Sequence, residues 1–225
     1  MAMLSALFYN LAQHPFLGLA VFPLVGAFCS GLIAHWRRNL AWNLLIVPFF
    51  LLGVVNTFAA HMLNAAFLNA FGTIGHAVIG YEAETNSQLN DQYIWEYEAI
   101  LKTADGRDVV THFDTMSASI YPIRNEILIP PKGETFVAKY IPGFERNIAI
   151  MSDLSAYGKR RLVEQDGVPV EKAAARYAAS PANPAFVKGY RDALRAFIAR
   201  HADDADPDMI RWDEQVLESL PPPQD

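Results

Sequence analysis

The first 81 residues contain no aspartate, glutamate or lysine, and their only charged side chains are Arg37 and Arg38. A water-facing domain of that length needs a charged exterior, so this stretch excludes an ordinary soluble fold. Cysteine is almost absent: Cys29 stands alone, so neither an intrachain disulfide nor a multi-cysteine metal framework can form. Basic residues are outnumbered in the rest of the chain, 16 against 24 acids, a net charge of −8. That part lacks the basic footprint of non-specific nucleic-acid binding. Glycine-rich phosphate loops, HExxH and nucleophile-elbow sequences are missing too.

The acid-free stretch holds long apolar runs instead. Phe16 to Ala34 is uncharged, and at about 1.5 Å per residue it reaches roughly 28 Å, close to a bilayer's hydrocarbon thickness. It shows no polar face of the kind a soluble core helix carries. Leu40 to about Leu63 forms a second run, interrupted by Asn43, Pro48 and Asn56. The first run has no basic n-region and no small-x-small site, which argues for an uncleaved anchor over a signal peptide.

Five residues, HWRRN, separate the runs, so the spacing predicts a tight helical hairpin. Short arginine-bearing loops stay cytoplasmic. Arg37 and Arg38 therefore read as a topology signal, placing both termini outside the cytoplasm in a two-pass inner-membrane protein in contact with membrane lipids. Asn56, Ala60 and Asn64 recur at steps of four beside Thr57 and His61. Polar groups in lipid are costly, so Asn56, His61 and Asn64 are expected on an intramembrane face toward the other span or a partner chain. Gly26/Ser30 and Ala27/Gly31 offer small faces for close packing, including a homo-oligomer through the hairpin. Met3, Leu4, Leu7, Phe8 and Leu11 share one helical face, with Ser5, Asn10 and Gln13 mainly opposite, which suggests a short interfacial helix ahead of Pro15.

From Gly72 to Asp153 the periodicity falls to two. Tyr93, Trp95 and Tyr97 line one face of a strand over about 93–102, and Asp105-Gly106 is a hairpin turn pair leading to a strand at about 107–115. Further strands are expected at 74–84, 134–141 and 147–152. Five short strands imply a small antiparallel sheet or partly open barrel. Gly133-Glu134-Thr135-Phe136-Val137-Ala138-Lys139-Tyr140-Ile141-Pro142, followed by Gly143, resembles the pattern G-(D/E)-x-V-x-V-x-Y-x-P. That pattern marks an uncharacterised bacterial family of small membrane-anchored β-domain proteins. The likeness covers about residues 74–152, with Phe136 in place of the usual Val. It implies an anchored β-domain and brings no catalytic residues.

After Asp153 the pattern turns helical. Gly167 and Pro169 are expected to divide a basic helix bearing Lys159, Arg160 and Arg161 from an Ala-rich one at about 169–179. Asn183-Pro184 and Asp206-Pro207 are cap-then-proline starts. The first opens a helix with a stripe of Phe186, Tyr190, Leu194, Phe197 and Ile198. The second opens a helix through Trp212, Val216 and Leu220. The organisation expected is a transmembrane hairpin at 1–71, an extracytoplasmic β-domain at 72–153, a helical extension at 154–220 and a flexible tail at 221–225, an α+β membrane protein overall.

No catalytic, cofactor or metal constellation emerges. Asp204, Asp206 and Asp208 mimic a calcium loop, but Met209 and Gln215 occupy positions that need Gly and Glu. Helix capping accounts for those acids. His112 and Asp114 share a strand face without a third ligand. Ser117 and Ser119 lie outside any nucleophile-elbow sequence. The row Tyr93/Trp95/Tyr97 is the candidate binding face, with core packing as the plainer role. The function expected is non-enzymatic recognition of another envelope or secreted protein, as an envelope-complex component or toxin-immunity protein. The alternatives are an envelope ligand sensor or small enzyme using the aromatic face, or a transport accessory subunit.

Overall fold

The computed structural model describes residues 1–89 and 91–222. Among them are six α-helices and one six-stranded sheet. The chain divides into two compact units, Met1–Ser155 and Ala156–Asp225. The first holds α1 (Ala2–Gln13), α2 (Leu17–Arg37), a 3-10 turn (Leu40–Leu45), α3 (Ile46–Phe71) and all the strands.

Two of these segments, Leu17–Arg37 and Leu40–Phe71, are long and apolar enough to cross a membrane. The connection between them is shorter than five residues, because His35, Trp36 and Arg37 complete the last turn of α2. Arg38 takes a left-handed conformation (φ 50°). Asn39 then caps the 3-10 turn, its side chain accepting the Ala41 N–H at 2.9 Å. Close packing runs along Gly18, Gly26, Ser30 and Ala34, the buried positions of α2. A Cβ on Gly53 would meet the Gly18 carbonyl oxygen at 2.7 Å, and one on Gly26 would meet Phe49 at 2.6 Å. Ala27 and Gly31 face outward.

The sheet order is β3-β2-β1-β5-β6-β4. β1 (Thr73–Leu89), β2 (Gln92–Lys102), β3 (Asp108–Asp114), β5 (Thr135–Ile141) and β6 (Phe144–Met151) pair antiparallel. β4 (Ile120–Tyr121) pairs parallel with β6; two residues leave too little alternation to be read from sequence. Tyr121-Pro122 is cis. The sheet curls until Thr111 on β3 donates from its hydroxyl to the Arg146 carbonyl on β6 at 2.6 Å. Ile79, Leu101, Phe136, Ala138 and Ile150 fill the inside of the curl, each at most 1% exposed. On the opposite side, Ile141, Ala149 and Met151 pack against Ala65, Phe67 and Leu68 of α3. Fully burying one such side chain contributes about 1.5–3 kcal/mol, so the end of α3 belongs to the sheet's core.

α1 turns Ser5, opposite the expected apolar face, toward the sheet and leaves most of that face outward. Ser5 and Ala12 are buried, while Met3, Leu4 and Leu7 are exposed. Phe8 turns inward and stacks on Phe67, ring centroids 4.7 Å apart. The reason is a hydrogen-bond partner: Asn147 donates to the Ser5 hydroxyl at 3.0 Å and to its carbonyl at 3.1 Å.

The second unit holds α4 (Ala156–Ala179), α5 (Pro184–His201) and α6 (Pro207–Ser219). α4 is continuous through Gly167 and Pro169, contrary to the expected break. An internal proline costs about 3 kcal/mol. The cost is offset because Val170, Ala173, Ala174 and Tyr177 beyond it pack on Tyr190, Leu194 and Leu220. The caps form as expected: Asn183 accepts the Ala185 N–H at 3.0 Å and Asp206 that of Asp208 at 2.8 Å. The buried face of α5 is Val187, Tyr190, Leu194, Phe197 and His201, so it includes Val187 and His201 and leaves Phe186 half-buried. On α6, Ile210 and Asp213 are buried and Trp212 is exposed. Of the expected tail, Pro223, Gln224 and Asp225 lie outside the described residues.

Candidate functional site

The side chains expected to share one intramembrane face go to three places. Asn56 is buried and donates to the Pro15 carbonyl at 3.1 Å, tying α3 to the start of α2. Asn64, about two turns before the end of α3, bonds to residues of the β-domain. It donates to the Ser119 hydroxyl at 2.8 Å and to the Asn147 side-chain oxygen at 2.8 Å, and Asn147 returns a bond at 2.9 Å. His61 lies elsewhere, in a groove of about 330 Å³ with Met62, Met116, Ile120, Ile123 and Ile127. The face expected from steps of four is thus split, because a sheet packs on the last turns of the same helix.

Tyr93, Trp95 and Tyr97 do alternate along one face of β2. Tyr97 is half-buried and stacks on Phe113, with centroids 5.4 Å apart and planes at 24°. Trp95 and Tyr93 are 37% and 47% exposed. Core packing therefore holds Tyr97 and not its two neighbours. The difference follows from sheet width. β5 covers β1 only from Thr73 to Val78, and the β2–β3 ladder ends at Glu96–Asp114. Beyond that, β1 and β2 continue as a two-stranded ribbon. The Trp95 N–H reaches the Thr115 hydroxyl at 3.0 Å, and the Thr115 N–H reaches the Trp95 carbonyl at 2.9 Å.

The register sets carboxylates beside these rings. Glu82 lies opposite Tyr97, and Glu84 lies opposite Trp95. Directly opposed residues have Cβ atoms about 5 Å apart and share a face. Burial pushes the Tyr97 hydroxyl's pKa up; its hydrogen bond with Thr115 acts against this, and the Glu82 charge adds to the rise. On the reverse face, Glu98 meets His112 at 3.1 Å. A cleft of about 350 Å³ involves Gln13, Tyr81, Glu96, Tyr97, His112 and Phe113. Between Asn39 and Leu101 there is no lysine or arginine, whereas Glu82, Glu84, Asp91, Glu96 and Glu98 all fall on or beside the ribbon. The sequence carried the aromatic alternation, but the acidic partners needed the register, which a bulge between Ile79 and Tyr81 shifts.

No known protein family, no curated protein and no solved structure matches this chain. The likeness over 74–152 rests on the quoted strand alone.

The remaining polar candidates are occupied by structural bonds. Asp114 accepts the N–H groups of Met116 and Ser117 at 2.8 and 2.7 Å. Lys159 pairs with Asp204 at 2.7 Å and Arg211 pairs with Asp208. Among the described residues no group of three or more His, Cys, Asp or Glu is placed to hold a metal ion. Arg37 stacks its guanidinium 5.2 Å from the Trp36 ring centroid, and Trp36 is 78% exposed.

Proposed function

We propose that this chain is a two-pass inner-membrane protein with both termini outside the cytoplasm, presenting its curled sheet for recognition of another envelope or secreted protein. α2 and α3 would form the transmembrane hairpin and the sheet the extracytoplasmic, non-enzymatic domain.

The observation that carries this reading is the sidedness of the helices. Phe28, Leu32, Val55 and Phe58 stand 54–73% exposed and rings and branches point outward, while Gly18, Gly26, Ser30, Gly53 and Asn56 are buried between the helices. Water would favour the opposite arrangement, and lipid favours this one. The exposed Met3, Leu4 and Leu7 of α1 suit an interfacial helix whose inner side is fixed to the sheet. Arg37 and Arg38, at the connection between the two helices and at the opposite end of the second apolar segment from the sheet, supply the orientation.

Cysteine labelling tests the arrangement. In a Cys29→Ala background, Gln88→Cys should react with a membrane-impermeant maleimide in intact spheroplasts. Trp36→Cys should react only after lysis. The reverse pattern, or release of the chain by carbonate washing, overturns the anchored topology. A photo-crosslinker at Gln88 should then trap an envelope or secreted protein; trapping only cytosolic proteins overturns the recognition role.

A further inference from the structure

The ribbon of β1 and β2 has three properties that seldom coincide. Its edge is open: past Val78, β1 is no longer in the β5 ladder, and beyond the Gly133 N–H to Ile79 carbonyl bond it pairs only with β2 among the described residues. Natural edges are usually blunted by lysine or proline, yet Gly80–Leu89 contains neither. Its aromatic face is exposed at Tyr93 and Trp95. And the charges it carries from Glu82 to Glu96 are of one sign, with Glu82 and Glu84 making no salt bridge to any described residue; Lys132 of the neighbouring loop sets its ammonium 6.0 Å from the Tyr81 ring centroid at the start of this edge.

We infer that this ribbon binds an extended, basic polypeptide segment that adds as a strand along the β1 edge and sets lysine or arginine side chains into the two acid–aromatic pairs, Glu84/Trp95 and Glu82/Tyr97. The inference rests on the recognition role proposed above and names the partner's chemistry. A cation beside a carboxylate and over a ring gains from both, and Trp is the best ring for it. The two pairs are two residues apart, about 7 Å along the strand. That is the repeat of same-side residues in an extended peptide, so the partner carries its cations at alternate positions. An open edge supplies the backbone hydrogen bonds that give strand addition its affinity, and the side-chain sites give its selectivity.

The test uses the full chain in detergent micelles and three labelled octapeptides of alternating Thr and Lys, Thr and Gln, or Thr and Glu. The Lys peptide should bind at least about tenfold more tightly than the Gln peptide, the factor one well-placed cation–π pair supplies. The Glu peptide should not bind. Raising salt should weaken the Lys peptide. A Lys peptide N-methylated on alternate backbone nitrogens keeps its charge but cannot pair as a strand, and should lose binding. Glu82→Gln with Glu84→Gln, and separately Trp95→Ala, should each weaken the Lys peptide about tenfold or more while helical and strand circular dichroism stay unchanged. Equal binding of Lys and Gln peptides overturns the proposal. So does undiminished binding of the N-methylated peptide, or full competition by spermine with the same Glu82/Glu84 dependence, which would mark a small-cation site. Binding of the ribbon to lipid vesicles in place of the peptides also overturns it. Each of these can occur while the cysteine-labelling pattern stands, so failure here is separable from failure of the anchored topology.

Discussion

Asn64 and Asn147 bond to each other twice, and both are nearly completely buried. Each also spends its remaining amide hydrogen on a serine, Ser119 for Asn64 and Ser5 for Asn147. The four residues come from α1, α3, β6 and the segment before β4. One amide pair therefore fixes where three elements meet. A buried polar group left without its partner costs about 1–3 kcal/mol. Asn147→Ala should destabilise the full chain by at least that much, since it strands both Asn64 and Ser5. Asn64→Ala should cost a similar amount. The double variant should lose less than the sum, because the reciprocal bonds can be lost only once. Thermal unfolding in detergent reads all three, and strict additivity would show that the two amides act independently.

A second buried side chain in the other unit titrates. Burial holds the Asp213 carboxyl above the usual carboxylate range. The folded protein thus holds this proton more tightly than the unfolded chain. The group's stabilising contribution is full below the unfolded pKa of about 4 and is lost as pH rises through the folded value. Asp213→Asn removes the charge at every pH. It should raise the unfolding temperature relative to the parent at pH 7, and that advantage should shrink as the pH is lowered toward 4. A gap that does not change with pH would show that folding leaves the Asp213 pKa at its unfolded value.

At the level of elements, much was legible from periodicity and the rest was lost to partners that periodicity does not see. Five strands and the two long apolar helices follow from alternation and from long uncharged apolar runs. β4 is two residues long, and its parallel pairing with β6 leaves no local trace. The amphipathic pattern gave α1 and its two faces, but not that Ser5 bonds into the sheet or that Phe8 turns inward onto Phe67. Ser5 is held inward because Asn147, more than a hundred positions later, needs an acceptor. Pro169 marked a break that tertiary packing overrides. The candidate site divides in the same way. Tyr93, Trp95 and Tyr97 were visible as a row, but Glu82 and Glu84 join them only through a bulged register.

For the whole molecule, the division at Ser155/Ala156 separates two hydrophobic cores. One is Phe67, Leu68, Ile141 and Met151 with the curled sheet. The other is Tyr190, Leu194 and Leu220, joined by Val170 and Tyr177 of α4. Each of these two cores is assembled from residues of its own unit, so each is expected to have its own cooperative transition. A fragment beginning at Ala156 should fold alone as a helical domain with modest stability, since chains of about 60–70 residues bury only a limited share of their surface. Asp213→Asn should shift its melting as it does in the full chain. In the full chain, calorimetry should resolve two transitions, one moved by Asn147→Ala and the other by Asp213→Asn. A single transition displaced by either substitution would mean that the two cores unfold as one. Two independent transitions would leave α4–α6 free to be varied or removed without loosening the sheet, and cysteine labelling of a chain ending at Ser155 should then match that of the intact protein.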